Sequence, residues 1–455
     1  MTALAIPRSE DLLFGIAPKP VECGFGIRIG AGEVLPEVNF TLPTISIEAG
    51  TWPEVVRHYE EMVKAILRRA VAMRVPGIVL EFELLPAMTE TPEWGAEITA
   101  LLKRHMATAH ADRGLRSALR VTPTDIRDQG KPPAMRSGTP WEKLARSFEL
   151  CAQSGADILS IESIGGKEVH DPALMYGDVA GIVFALGCLA VRDMAWLWDR
   201  ISAICRAAGG VVPGGDTACG FANTAMQLAG QKMLPDTLAA VIRAMSAARS
   251  LVAFEHGAVG PSKDCAYEGP IIKAITGCPI SMEGKSAACA HFSPVGNVAA
   301  AMCDLWSNES VQNVRLLSGS APEVFTEILA YDCRLMNTAA RHGRSLELRD
   351  WLTESDEMLN AQAYLLSPAS TIRIAEAIAG AEDGYARVQK AGWAALGLLR
   401  EAVAGERLSV NPKEKQWLDR IEKALASLPK REERLWEEMK QQYSGIFDPA
   451  SYGVD

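Results

Sequence analysis

The chain has 455 residues, 48% hydrophobic and 22% charged, with a formal net charge of −10 at pH 7. That length allows one large domain with additions, or two ordinary ones, while the acidic balance, with no cluster of Lys and Arg, excludes the phosphate-neutralising surface that nucleic-acid binding requires. The opening MTALAIPRSEDLLFG lacks the basic segment and apolar run of a secretory signal, so the chain is expected in the cytoplasm, its ten cysteines reduced or bound to metal.

In chain order, GFGIRIG at 24–30 has the wrong glycine spacing for a dinucleotide fingerprint and reads as a loop. NFTLPTIS at 39–46 is a candidate strand, followed by a helical pattern, WPEVVRHYEEMVKAILRRAVAM. GIVLEFEL at 77–84, ALRVTPTD from 118, ADILSIES from 156, GGVVPGGD from 209, LVAFEHG from 251, CPISMEG from 278 and NVRLLSG from 313 then read as strands between helices, for example TPWEKLARSFELCAQSG. The apolar stretch at 179–191 falls short of the ~20 residues a bilayer crossing needs, so it is predicted to be a buried helix within an insertion at about 171–207, and no membrane is expected. APEVFTEILAYDCRLMNTAARHG, AEAIAGAEDGYARVQKAGWAALGLLREAV and EKQWLDRIEKALASLPKREERLWEEMKQQ read as C-terminal helices, with Pro412 and Pro429 at breaks. On the penultimate helix Trp417, Ile421, Ala424, Leu425 and Leu428 form one apolar stripe, read as intramolecular packing.

Strands alternating with helices imply a parallel sheet. An eight-stranded α/β (TIM) barrel is preferred to an open sheet, because strand after strand ends in polar residues: Glu81 and Glu83, Asp125, Glu162, Asp216, Glu255 with His256, and Glu283. A barrel brings such ends together at one mouth, where active sites of this fold lie. A barrel takes about 250 residues, so the surplus divides the chain into a catalytic barrel at 1–320 and a helical extension at 321–455 packed on it.

Three of the residues that follow strand-like runs carry metal-binding groups: Glu162, Cys219 in PGGDTACGFAN and Cys265 in VGPSKDCAYEG. Two thiolates and a carboxylate suit zinc, and three protein ligands leave a fourth position open for water or substrate. Against this, most cysteines of such a chain are core residues. No Cys-x-x-Cys pair occurs, so spacing alone nominates no metal.

IESIGGKEVHD, PGGDTACGFANTAMQLAGQK and the block from EHGAVGPSKDC to SPVGN resemble the zinc-containing, methanol-activating subunit of methanol:corrinoid methyltransferases. The resemblance implies a zinc ion at the barrel mouth held by Glu162, Cys219 and Cys265. Methanol would bind there, and a separate corrinoid protein would accept the methyl group on cobalt. Cys278, the nearest competitor as third ligand, precedes its strand and is expected at the opposite end.

The chemistry explains the metal. Hydroxide is a poor leaving group, and zinc acts as a Lewis acid on the oxygen as the cob(I)amide attacks the methyl carbon. An anionic ligand set weakens that acidity, so a proton donor is sought among Glu83, Asp125, Asp216, His256 and Glu283. Lys263 and Lys285 are candidates for acidic groups of the partner or corrinoid. The corrinoid-binding signature Asp-x-His-x-x-Gly is absent, and His170, His256 and His291 lack that context, so the corrinoid is expected in trans. A homodimer within a larger complex is implied by the resemblance. Two other readings compete: the same chemistry on a methyl ether or methylamine, and a non-catalytic zinc scaffold for a corrinoid protein.

Overall fold

A computed structural model describes residues 3–40, 45–265, 267–284, 295–310, 315–316 and 319–454. An N-terminal hairpin, β1 (Ile16–Cys23) and β2 (Ile27–Ala31), precedes a parallel sheet of β3 (Leu35–Phe40), β4 (Ile78–Glu83), β5 (Ser117–Thr122), β6 (Ile158–Ile161), β7 (Val212–Asp216), β8 (Ser281–Glu283) and β9 (Leu305–Ser310). The spatial order is β7-β6-β5-β4-β3-β9-β8. The two edges are joined by an irregular segment. Val259 and Gly260 donate their N–H groups to Pro213 and Gly214 on β7, Ser262 donates to Pro279 just before β8, and Glu283 donates to Asp264. The segment at 259–264 is therefore the eighth stave, and the sheet closes as a TIM-type barrel. Gly260 makes that closure possible: its φ is +88°, and a Cβ there would lie 2.7 Å from the Pro279 carbonyl oxygen.

This corrects two strand assignments. LVAFEHG ends a helix, Asp236–Glu255, in which every residue from Thr237 to Ala253 is buried. A short apolar run in such a helix cannot be told from a strand by periodicity alone. The last barrel strand is LWSNES rather than NVRLLSG. Of the latter, Arg315–Leu316 pair with Gly319–Ser320 in a two-residue hairpin, and 313–314 and 317–318 lie outside the described residues. The first barrel strand begins at Leu35, earlier than NFTLPTIS, of which 41–44 are not described.

GFGIRIG is the turn and second strand of the hairpin, not a loop alone. The Phe25 N–H donates to the Ser117 carbonyl and the Lys19 N–H to that of Gly277, at the N-terminal side of the barrel. Cys23, Ile27 and Ile29 pack there on Leu35, Val79, Ala118, Ile158 and Leu305, the first inward-facing residues of their strands. The hairpin is the barrel's floor.

Between β6 and β7 run helix Lys167–Tyr176 and a long helix, Val179–Ala208, whose stretch Ala185–Ala190 is widened into π geometry. This helix and Asp236–Glu255 are long and apolar enough to cross a membrane, yet 72% and 94% of their apolar windows are buried inside the protein. C-terminal helices cover them: Gly384–Ala404 packs on both Asp236–Glu255 and the π-helical stretch. On helix Pro412–Ser427, Leu418, Ile421 and Leu425 are buried against the same core, with Trp417, Ala424 and Leu428 packed at its edge.

Candidate metal centre at the barrel mouth

Glu162 is the residue after β6, Cys219 opens a π-helical turn, Cys219–Asn223, beyond β7, and Cys265 directly follows the irregular stave. The barrel thus brings together three residues that span more than a hundred positions. Their ligand atoms lie within 4.8 Å of one another, and the Cys265 sulfur is 3.4 Å from Glu162 Oε1. Zinc–sulfur bonds of about 2.3 Å and zinc–oxygen bonds of about 2.1 Å give tetrahedral edges of roughly 3.4–3.8 Å. The donor set and its spacing fit zinc.

Burial pushes the Glu162 carboxyl up to about 7, against the attraction of Lys263, although a third of the side chain faces the mouth. Cys265 hydrogen-bonds to Cys219 and lowers its pKa, but burial and the charges of Glu162 and Glu283 outweigh this and raise it to about 11. The same hydrogen bond, then burial and Asp264, pushes Cys265 well above the ordinary thiol range. Both sulfurs are thus held as thiols, and any cation bound there would have to displace their protons. The nine described cysteines are all free thiols.

A cavity of about 230 Å³ opens beside Glu162, lined by Tyr59, Glu83, Thr122, Asp125 and Ile164 among others. Below it the barrel interior is charged. Lys263, fully buried, reaches Asp264 and Glu83 at 2.6 Å, Glu81 at 3.0 Å and Glu162 at 3.6 Å. One layer down, Arg120 binds Glu37 at 2.7 Å and donates to Ser160 and the Pro261 carbonyl. Burial and then the charge of Asp264 push the Glu81 carboxyl well above its usual range, while Lys263 overcomes the burial of Asp264 and holds it at about 2.

Residues 1–453 match the family model for the methanol-cobalamin methyltransferase B subunit. The chain belongs to that family. It is 38% identical over 460 residues to a methanol–corrinoid protein co-methyltransferase of Methanosarcina barkeri, covering 99% of this chain and 98% of the relative. The fold also matches the crystal structure of the methanol:cobalamin methyltransferase complex MtaBC from Methanosarcina barkeri, with a TM-score of 0.95, 37% identity, and coverage of 100% of this chain and 99% of that one. Membership makes the protein a methyltransferase and sets aside the non-catalytic scaffold.

Within this family member the candidate proton donors separate. Glu83 shares the cavity with Glu162, and Glu283 Oε1 lies 3.9 Å from the Cys265 sulfur. Asp125 also lines the cavity, but both its oxygens bind Arg127, at 2.7 and 2.8 Å, and it accepts the Ile164 N–H. Arg127 continues to Asp193. Asp216 accepts from Trp198 Nε1, Arg249 and the N–H groups of Ser163 and Thr217, so it ties together the loops that carry Glu162 and Cys219.

Several expectations fail. His256 is not at the mouth: it caps the helix Asp236–Glu255 on a turn beside the start of β7 and pairs with Asp199 at 2.9 Å. Glu255 pairs with Arg387 on a C-terminal helix. Both stand at the end of a helix whose buried apolar run mimics a strand in sequence. Lys263 cannot meet a partner, because it is enclosed by four carboxylates of its own chain. Lys285 and His291 lie outside the described residues. Cys278 lines a cavity at the floor with Lys19, Val212 and Val259, remote from the ligands as expected.

Sequence reasoning passed over Arg120, Asp264, Asn223, Arg243 and Glu268. Glu268 accepts the Ala218 N–H at 2.8 Å, next to Cys219. Asn223 stands four residues after Cys219 in CGFAN, a spacing that places two side chains together on a helical turn. That signal was available.

Proposed function

We propose that this protein transfers the methyl group of methanol to the cob(I)amide of a separate corrinoid protein, using a zinc ion held by Glu162, Cys219 and Cys265. The observation that carries the reading is the convergence of two thiols and one carboxyl from three separate loops at the open mouth of the barrel. When bound there, zinc supplies Lewis acidity toward the alcohol oxygen.

The chain's own residues do the rest. Asp216 and Arg249 hold the ligand loops, Lys263 offsets part of the negative charge next to Glu162, and Glu83, paired with Lys263 at 2.6 Å, lines the cavity beside Glu162. The methyl carbon must face outward, because cobalt has to reach it in line from the solvent side. We infer that the corrinoid protein docks over the mouth, that the subunits form a homodimer within a larger complex, and that the enzyme acts in the cytoplasm. The division at residue 320 into barrel and helical extension is proposed likewise, on the ground that all the barrel strands precede it.

The test is anaerobic: zinc-loaded protein, cob(I)alamin and methanol, followed by absorbance as methylcobalamin forms. About one zinc per chain and methylation are expected, with both lost in Cys219→Ala and Cys265→Ala, the rate falling by about a thousandfold or more. Full zinc retention in both variants would sink the reading. The cavity is roomier than methanol requires, which favours including methyl ethers and methylamines as competing donors.

A further inference from the structure

We propose that Asn223 is a positioning residue that ties the two sulfur ligands together and draws charge from the Cys219 sulfur. The inference rests on the zinc reading above and extends it beyond the three ligands.

The π-helical turn Cys219–Asn223 brings the Asn223 amide back to the sulfur that begins it. Asn223 Nδ2 lies 3.7 Å from Cys219 Sγ and 3.4 Å from the Cys265 carbonyl oxygen, so one amide spans both ligand loops. The side chain is 3% exposed and shielded from water that would compete for the donor. Its orientation is decided by Arg243, whose Nη2 donates to Asn223 Oδ1 at 3.2 Å. A guanidinium has donors only, so the oxygen end must face Arg243 and the N–H₂ end the sulfur.

Arg243 is in turn held from outside the barrel. It lies on the helix Asp236–Glu255, donates from Nε to Gln362 Oε1 at 3.3 Å, and stacks over the Tyr267 ring at 5.0 Å. Gln362 belongs to the helix Ala361–Leu366, so a line of contacts runs from the C-terminal region to the metal centre.

The physical need is plain. Three anionic ligands leave a zinc site with net negative charge and blunted acidity toward an alcohol. An N–H donor on a thiolate withdraws density from sulfur and fixes its direction, and losing such an outer partner typically costs about 10–100-fold in metal affinity.

The experiment uses the full-length protein and two variants. Asn223→Asp keeps the acceptor for Arg243 and removes the donor to sulfur; Asn223→Ala removes both without adding charge. Zinc affinity is measured by competition with a chromophoric chelator, and the sulfur-to-metal charge-transfer band is read after Co(II) substitution. The expected result is zinc bound about 10–100-fold more weakly in both variants, with the band at longer wavelength as sulfur becomes more electron-rich. Variants with wild-type zinc affinity and band position would overturn the proposal while leaving the zinc site intact. If Asn223→Asp does not fold, Asn223→Ala decides by the same two readings. A wild-type chain that takes up neither metal would instead overturn the zinc reading, and this inference with it.

Discussion

At its floor the barrel interior holds Leu35, Val79, Ala118, Ile158 and Leu305, sealed by Cys23, Ile27 and Ile29 of the hairpin. Two residues further along the same strands it holds Glu37, Glu81, Arg120, Ser160 and Ser307, and at the mouth Glu83, Glu162 and Glu283. The strands are the same, so the change from hydrocarbon to charge is a matter of position along each strand. The apolar end excludes water and closes the fold. The charged end surrounds the candidate ligand set, and burial there makes each unpaired group costly. Stability and chemistry are thereby separated by about one turn of pleat, in keeping with the division between bottom and top faces of this fold.

Removing a charge at the mouth end sharpens that contrast most. In Lys263→Met, Glu81, Glu83 and Asp264 lose a common partner, and a loss of about 3–5 kcal/mol is expected in urea unfolding of the metal-free protein. An unchanged midpoint would show that these carboxyls balance their charge without the lysine. At the floor, Ile29→Ala removes a fully buried side chain and should cost about 2–5 kcal/mol. Zinc content and methyl-transfer rate per folded molecule should stay at wild type. Loss of zinc in this variant would break the separation of the two ends.

The smallest effect concerns the rim. Burial pushes the Glu168 carboxyl up to about 7, against the hydrogen bond from Tyr452, whose hydroxyl also accepts the Gly166 N–H. The folded state holds this proton more tightly than an unfolded chain with a carboxyl near 4.5. Its contribution is therefore complete below about 4.5 and is lost as pH rises through about 7. The melting temperature of the metal-free protein should decline over that window, and the decline should be smaller in Glu168→Gln. Parallel curves for the two proteins would assign the titration elsewhere.

Some of this was legible in the residues themselves. GIVLEFEL, ALRVTPTD, ADILSIES, GGVVPGGD and CPISMEG announce their strands because their outward faces are apolar and their turns are marked, and Glu162 and Cys219 stand out as donors just beyond such runs, whereas Cys265 follows no true apolar strand and was legible through its motif. The motifs also carried the family. LWSNES escaped notice because Ser307 faces a polar interior and leaves no apolar run to read. The stave at 259–264 escaped because glycine and proline replace the β-branched residues that mark a strand, and its pairing depends on Gly260 fitting against Pro279.

What the sequence determined by itself was the local chemistry: which residues can donate to a metal, where helices alternate with strands, and which helices are apolar on every side. Only the tertiary structure decided that His256 pairs with Asp199 away from the mouth, that Lys263 is enclosed by carboxylates, and that Asn223 and Arg243 stand behind the thiols. The reason is that propensity and periodicity act over a few neighbouring residues. A residue's charge environment, in contrast, is set by side chains that closure of the barrel brings from distant parts of the chain.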